Sequence, residues 1–273
     1  MSIVTLISDW QDKDYYIAAV KGKLYSHIPD VTIVDITHNV PQDGLATAYY
    51  LLSNAYTNFP KGTIHIIGLM DIESKNSPHI AVNYEGHYFI GADHGYFYDI
   101  FTHEPEEIFE INIYQEGSTF TFPSRDRFPL VAASIVRDGD LSKIGNPSSL
   151  KPRVVEPLNI SPRERNGKMV LEIPILHVDA TGNVVLDIKK ARFTSILKQY
   201  SFFMIRIRGG YNDLLRINKI SEAYPDVRQA DGCAIFLDND YLELSINNDS
   251  FTDMTGLGIC ETVVIEFSKK QIT

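Results

Sequence analysis

The chain has 273 residues, enough to bury one large core or two smaller ones. Its 35 acidic against 25 basic side chains leave a formal charge of -10, which excludes the broad cationic surface that nucleic-acid phosphates require. No apolar run is long enough to cross a bilayer, and with no basic leader ahead of the first strand-like run the protein is expected in the cytoplasm.

The first predicted strand, Ile3 to Ser8, stops at Asp9. Between Asp14 and Ile28, the residues Tyr16, Val20, Leu24 and Ile28 share one helical face. Val31 to Val34 reads as a strand stopping at Asp35, followed by Thr37-His38. Leu45 to Phe59 predicts a helix closed by Pro60 and Gly62. Thr63 to Met70 is a strand stopping at Asp71, with a polar loop to Pro78. Ile80 to Tyr84 and Tyr88 to Ala92 predict a hairpin across Glu85-Gly86-His87, ending at Asp93. Asp126 to Val136 predicts a helix that tolerates Pro129 in its first turn. This alternation implies an α/β domain over residues 1–150, with a parallel or mixed sheet and helices on both faces.

From Gly145 to Pro162 the composition shifts to Asn, Pro and Ser, and residues 151–162 read as a linker. Residues 163–273 are strand-rich and predict a smaller all-β domain, a barrel or sandwich. There Glu172 to Val178 stops at Asp179, and Cys233 to Leu237 stops at Asp238. Cys233 and Cys260 fall in apolar runs and read as small buried hydrophobes.

Six strand-like runs thus end in aspartate, at 9, 35, 71, 93, 179 and 238. An aspartate after a strand is a common turn residue, but open α/β sheets bind ligands beyond the carboxyl ends of their strands. A row of six carboxylates there suits ribose hydroxyls or a cation. The eight histidines form no HxH or HxxxH pair, so no metal site is expected. His38, His79 and His94 stand apart because each lies near a strand end. Gly256-Leu257-Gly258 opens no helix after a first strand, and neither a P-loop nor a G-x-S-x-G elbow is present. Asp179 to Asn183 reads as a hairpin turn or as a carboxylate and carboxamide presented together. Phe122 to Asp126 reads as a helix start or as a cluster of N-terminal donors.

In their order along the chain these segments resemble the S-adenosylmethionine hydroxide adenosyltransferases, the family that also contains the fluorinase and chlorinase. The resemblance rests on Ile7-Ser8-Asp9 with Asp14, Val34 to His38, Phe59 to His65, Asp71 and Gly91 to Gly95. It continues through Phe122 to Phe128, Asp179 to Asn183, and Tyr241-Leu242-Glu243. It implies an N-terminal α/β domain, a C-terminal β-barrel, and homotrimers with S-adenosylmethionine at subunit interfaces. The molecule is bound as substrate or ligand, with no separate cofactor. Attack at the ribose C5′ then expels methionine. By the same resemblance Asp9 takes the ribose hydroxyls, Asp71 marks a hydrolase, and Ser74 lies in the loop beside it. Phe122 and Ser124 sit near C5′. Asp179 and Asn183 grip the methionine end, Tyr224 packs on adenine, and Asn239 and Ile246 to Asn248 read its edge.

The chain departs from the family pattern at several positions. The hydrolases pair the Asp71-type carboxylate with an arginine and a histidine. Here Ser77-Pro78-His79 holds no arginine, and Pro123 replaces the histidine. Ser124 is a fluorinase feature, whereas Asp43 and Asp71 replace the fluorinase tryptophan and tyrosine, its long insertion is missing, and Thr181 stands in place of an aromatic. The set argues against a halogenase. Two readings remain: hydrolysis of S-adenosylmethionine to adenosine and methionine, with Lys75, His79 or Arg127 in the cationic role, or binding of S-adenosylmethionine or adenosine with little or no catalysis.

Overall fold

The structure, a computed structural model, describes residues 2–41, 44–114, 121–152, 163–165, 167–209, 212–259 and 261–271. It divides into two compact units, residues 1–154 and 155–273. Asp43, Cys260 and all but the first two residues of the expected 151–162 linker lie outside the described residues.

The first unit alternates β1 (Ile3–Ser8), α1 (Tyr16–His27), β2 (Thr32–Thr37), α2 (Leu45–Ala55) and β3 (Ile64–Gly68). A hairpin of β4 (His79–Tyr84) and β5 (His87–Ala92) follows, then β6 (Glu107–Ile111). The short helix α3 (Pro123–Asp126), α4 (Phe128–Asp138) and β7 (Gly145–Pro147) complete it. Its seven described strands order β2-β1-β3-β5-β4-β6-β7. β2, β1, β3 and β5 run parallel, whereas β4 pairs antiparallel with both β5 and β6. Both faces are covered. Val4, Leu6, Ile64 and Ile66 pack with α1 and α4, while Ile7, Ile67 and Phe89 pack on the α2 side. Burial on two faces explains why β1 and β3 read as continuous apolar runs rather than alternating ones.

Four local features differ from the sequence reading. The expected helix over Asp126–Val136 is two helices broken at Arg127, because Pro129 lacks an N–H for the carbonyl of Arg125 and its ring would collide with that group. Asp35 does not end its strand: β2 runs on to Thr37, and Asp35 pairs in register with Leu6. Gly145–Pro147, where the composition begins to shift, forms the edge strand beside β6, where a Cβ on Gly145 would run into the Glu110 carbonyl. The β4–β5 turn is tighter than expected. Glu85 and Gly86 both have positive φ, 53° and 82°, as a two-residue primed turn requires.

The second unit contains β8 (Arg163–Arg165), β9 (Lys168–Val178), β10 (Val184–Lys189), α5 (Lys190–Tyr200), β11 (Phe202–Gly209) and β12 (Asn212–Ile217). β13 (Gly232–Phe236), β14 (Tyr241–Ile246), α6 (Phe251–Thr255) and β15 (Thr262–Ser268) follow. All its described strand pairings are antiparallel, ordered β12-β11-β15-β9-β10-β14-β13 with β8 beside β9. The two ends of that order meet, since a Cβ on Gly232 would lie 3.1 Å from the Ile217 side chain. The sheet is therefore a nearly closed barrel, filled by Leu171, Ile173, Leu186, Leu244 and Ile265 and plugged by Phe193 and Phe251. Among the described residues no helix is long and apolar enough to cross a membrane.

Candidate functional site

β1 and β3 are parallel neighbours with Ser8 opposite Gly68, so the residues that follow each strand emerge at one edge of the sheet. Asp9 and Asp71 both line a cavity of about 410 Å³ there, with Trp10, Tyr16, Phe122 and Arg125 around them. Trp10 lies flat against the end of β3, where a Cβ at position 68 would collide with the indole, so glycine is required. Its ring stacks on His38 at 5.8 Å and meets the edge of Phe122 at 5.5 Å, and Tyr16 meets Phe122 at 5.3 Å. Carboxylates and aromatic faces together suit a ligand that carries hydroxyls and a diffuse positive charge.

Asp71 lies three residues past the end of β3. Its carboxylate accepts the Ser124 amide at 3.0 Å and also the Ser124 hydroxyl, so it caps the start of α3 from a distance. Asp9 faces the same cavity. Burial is the largest influence on it and raises its carboxyl above the usual range, and the charge of Asp71 raises it further.

The structure does not bring the three expected cations to the Asp71 carboxylate. Arg127 is 7% exposed and held by four partners: it donates to the carbonyls of Ile113 (2.7 Å) and Ile111 (3.0 Å), to Glu73 (2.7 Å) and to His79 Nδ1 (3.0 Å). Because arginine only donates, His79 Nδ1 must accept, and its Nε2–H donates to the Asp71 carbonyl at 2.7 Å. Burial holds His79 below its ordinary value, in keeping with a neutral ring. His79 thus grips the main chain of Asp71 rather than its carboxylate, and it opens β4 instead of lying in a loop. Lys75 and Ser74 line a different hollow, with Glu73 and Lys151. The Ser74 hydroxyl is turned to the Asn76 amide.

Among the described residues the cation that lines the Asp9–Asp71 cavity is Arg125. It forms a two-pronged ion pair with Asp126 at 2.6 Å and lies 5.3 Å over the Phe122 ring. In the sequence Arg125 stands only within a segment of possible donors and Tyr16 only on a helical face, and the signal for Trp10 is that it directly follows Asp9. Asp35 and Asp93 support loops. Asp35 pairs with Lys21 (2.5 Å) and with His38 Nε2 (3.1 Å), and His38 Nδ1 bonds Ser8 Oγ (2.6 Å). Asp93 is buried and accepts the amides of Gly95 and Lys151.

In the second unit Asp179 closes the β9–β10 hairpin. One of its oxygens accepts Thr181 N, Thr181 Oγ1 and Asn183 N, and the other accepts Asn183 Nδ2 at 3.1 Å. These bonds outweigh partial burial and hold the carboxyl below the usual range. Asp179 and Asn183 thus carry the hydrogen bonds of a hairpin turn. Tyr224 presents a ring that is 42% exposed, while its hydroxyl donates to Glu243 at 2.9 Å. Burial, then this bond, push the Tyr224 hydroxyl up to about 12, and burial also raises Glu243. Glu243 belongs to the Tyr241-Leu242-Glu243 match but was not counted as a site residue. Asn239 accepts the Tyr241 amide at 3.1 Å beyond β13. Ile246 is buried in the barrel core, and Asn248 is exposed at a positive φ of 60° that asparagine tolerates. Among the described residues no cluster of His, Cys, Asp and Glu could hold a metal ion.

The family model for the SAM hydroxide adenosyltransferase N-terminal domain matches residues 4–145, and that for the C-terminal domain matches residues 173–264. A protein of Methanocaldococcus jannaschii named (R)-S-adenosyl-L-methionine hydrolase is 26% identical over 224 residues, covering 76% of this chain and 74% of the relative. Two solved structures share the fold. An uncharacterized conserved protein of Thermotoga maritima has a TM-score of 0.73 at 24% identity, with 97% of this chain and 99% of that one covered. A conserved hypothetical protein of Thermus thermophilus has a TM-score of 0.68 at 20% identity, covering 98% and 100%.

Proposed function

The chain belongs to the S-adenosylmethionine hydroxide adenosyltransferase family, and from that premise we propose that it hydrolyses S-adenosylmethionine to adenosine and methionine. The observation that carries this reading is the single cavity holding Asp9, Asp71 and Arg125 among the rings of Trp10, Tyr16 and Phe122. The relative from Methanocaldococcus jannaschii, named for the same reaction, supports it.

In the proposed reaction the oxygen of water bonds to C5′ as the C5′–S bond breaks. The electron pair passes to sulfur, which leaves as the neutral thioether of methionine. The proton shed by the attacking water passes to Asp71 or to solvent. Asp9 accepts the ribose hydroxyls. The aromatic walls stabilise the sulfonium by cation–π contact, about 0.5–2 kcal/mol per favourable ring. Phe122 and Ser124 border C5′, and because the leaving group is good, holding water and carbon in line supplies much of the acceleration. Arg125 takes the cationic role that Lys75, His79 and Arg127 do not fill. Asp179 and Asn183 serve the methionine end, while Tyr224, Asn239, Ile246 and Asn248 serve adenine. The family resemblance extends the proposal to a homotrimer with its sites at subunit interfaces, which light scattering tests as a mass three times that of the chain.

One observation favours a second reading, binding without efficient turnover. Among the described residues the Asp71 carboxylate bonds Ser124 and has no cationic partner. Purified protein incubated with S-adenosylmethionine should release adenosine and methionine, and Asp71→Ala should abolish the release. Saturable binding by calorimetry with no product above the uncatalysed background would leave only the binding reading.

A further inference from the structure

Met70 stands immediately before Asp71 in a conformation that L residues avoid, with φ of 44°. Its side chain does not hold it there, being 53% exposed. Two histidines meet the bend from the β4–β5 hairpin. His94 Nε2 donates to the Met70 carbonyl at 3.1 Å, and His79 Nε2 donates to the next carbonyl, that of Asp71, at 2.7 Å. The hairpin places them side by side, since His79 opens β4 opposite Ala92, the last residue of β5, and His94 follows two residues later. Each ring is oriented through its other nitrogen. Arg127 donates to His79 Nδ1, and the Ser77 hydroxyl lies 3.0 Å from His94 Nδ1; since carbonyls only accept, each ring carries a proton on Nε2.

We propose that His79 and His94 are positioning residues that clamp consecutive carbonyls of the Met70–Asp71 bend, and so set the Asp71 carboxylate against Ser124 at the cavity. The idea rests on the reading that Asp71 serves the ligand, and it gives that residue a support separate from any cation. Strain of this kind persists only where its surroundings over-determine it. Here two ring donors, an arginine anchored on Ile111 and Ile113, and the capped start of α3 act on two residues.

The test compares His79→Leu and His94→Leu, which remove the donors, with His79→Gln and His94→Gln, whose amides carry an N–H near the Nε2 position. Nitrogen-15 spectra of the ligand-free wild type report the ring tautomers. The Ser124 amide proton reports whether the Asp71 carboxylate is in place. Adenosine release reports turnover. Both rings should carry a proton on Nε2. Each leucine variant should shift the Ser124 amide resonance upfield and lower kcat at least tenfold with KM changed less than threefold, and each glutamine variant should restore both. Nδ1–H tautomers, or leucine variants that leave the Ser124 resonance and kcat at wild-type values, would overturn the clamp. A residue of merely structural importance would lower melting temperature without this pattern. If His79→Leu fails to fold, half-buried His94 decides alone. If the wild type releases no adenosine, the hydrolase reading fails while the tautomers and the Ser124 resonance still judge the clamp.

Discussion

His65 gives the protein an acid sensitivity that can be worked out in advance. It is 0% exposed in the middle of β3, with Nδ1 2.7 Å from Thr5 Oγ1 and Nε2 3.2 Å from His87 Nδ1. Phe89 and His87 stack on it, and Tyr56 and Phe59 meet it edge-on. Burial, aided by the neighbouring His87, depresses its pKa from 6.5 to about 3. The folded state therefore keeps the ring neutral where the unfolded chain takes up a proton. The stability it confers is complete above the unfolded value of 6.5 and is lost as pH falls from there toward 3. At about 1.36 kcal/mol per unit the full span is worth about 4.8 kcal/mol, of which about 2 kcal/mol disappears between pH 7 and pH 5. Urea unfolding at pH 7, 6 and 5 measures this directly. His65→Gln should start from a lower stability at pH 7 but lose about 2 kcal/mol less than the wild type on going to pH 5. Titrating groups out of contact with His65 contribute equally to both proteins, so the difference in slope reports His65 together with its partner His87. Parallel pH profiles for the two proteins would refute the reasoning.

The remaining predictions concern the cavity and the barrel. Arg125→Ala should lower kcat/KM about tenfold or more, about 1.4 kcal/mol of transition-state stabilisation, in steady-state adenosine release. Trp10 is the single tryptophan of the chain and lines the cavity, so adenosine or S-adenosylmethionine should change its fluorescence saturably; calorimetric binding with no fluorescence change would place the ligand elsewhere. Tyr224→Phe removes the donor to buried Glu243 and should cost about 1–3 kcal/mol of stability in urea unfolding. A variant as stable as the wild type would mean that Glu243 finds another donor.

Much of the fold could be read from residue order because the relevant signals are local. Buried parallel strands appear as apolar runs such as Thr63 to Gly68, and the Glu85-Gly86 pair announces its turn. The positions of Asp9 and Asp71 at one edge of the first sheet follow from two such strands being neighbours. What escaped was set by tertiary partners. Arg125 and Arg127 differ by two positions, yet the break before Pro129 sends one to the cavity and locks the other among carbonyls of residues 111 and 113. Charge and spacing do not distinguish them in the sequence. Asp35 looked like a strand end because the apolar run stops there, whereas the backbone pairing with β1 continues. Asp179 looked free to meet a ligand, and only the hydrogen bonds across its turn show how much of its carboxylate is committed.

The reversed direction of β4 beside the parallel strands β2, β1, β3 and β5 has an architectural outcome. In a simple βαβ repeat, each strand delivers only its last residues to the binding edge. Because β4 runs against β5 and leads into it through a two-residue turn, the hairpin starts and finishes at that same edge. Residues 71–78 then form a closed excursion, leaving from beside β3 and returning at His79 without crossing the sheet. Such an excursion can be lengthened, shortened or re-sequenced while the register of every strand stays fixed. The positions of that excursion that bond nothing outside it are therefore free to vary without disturbing strand register.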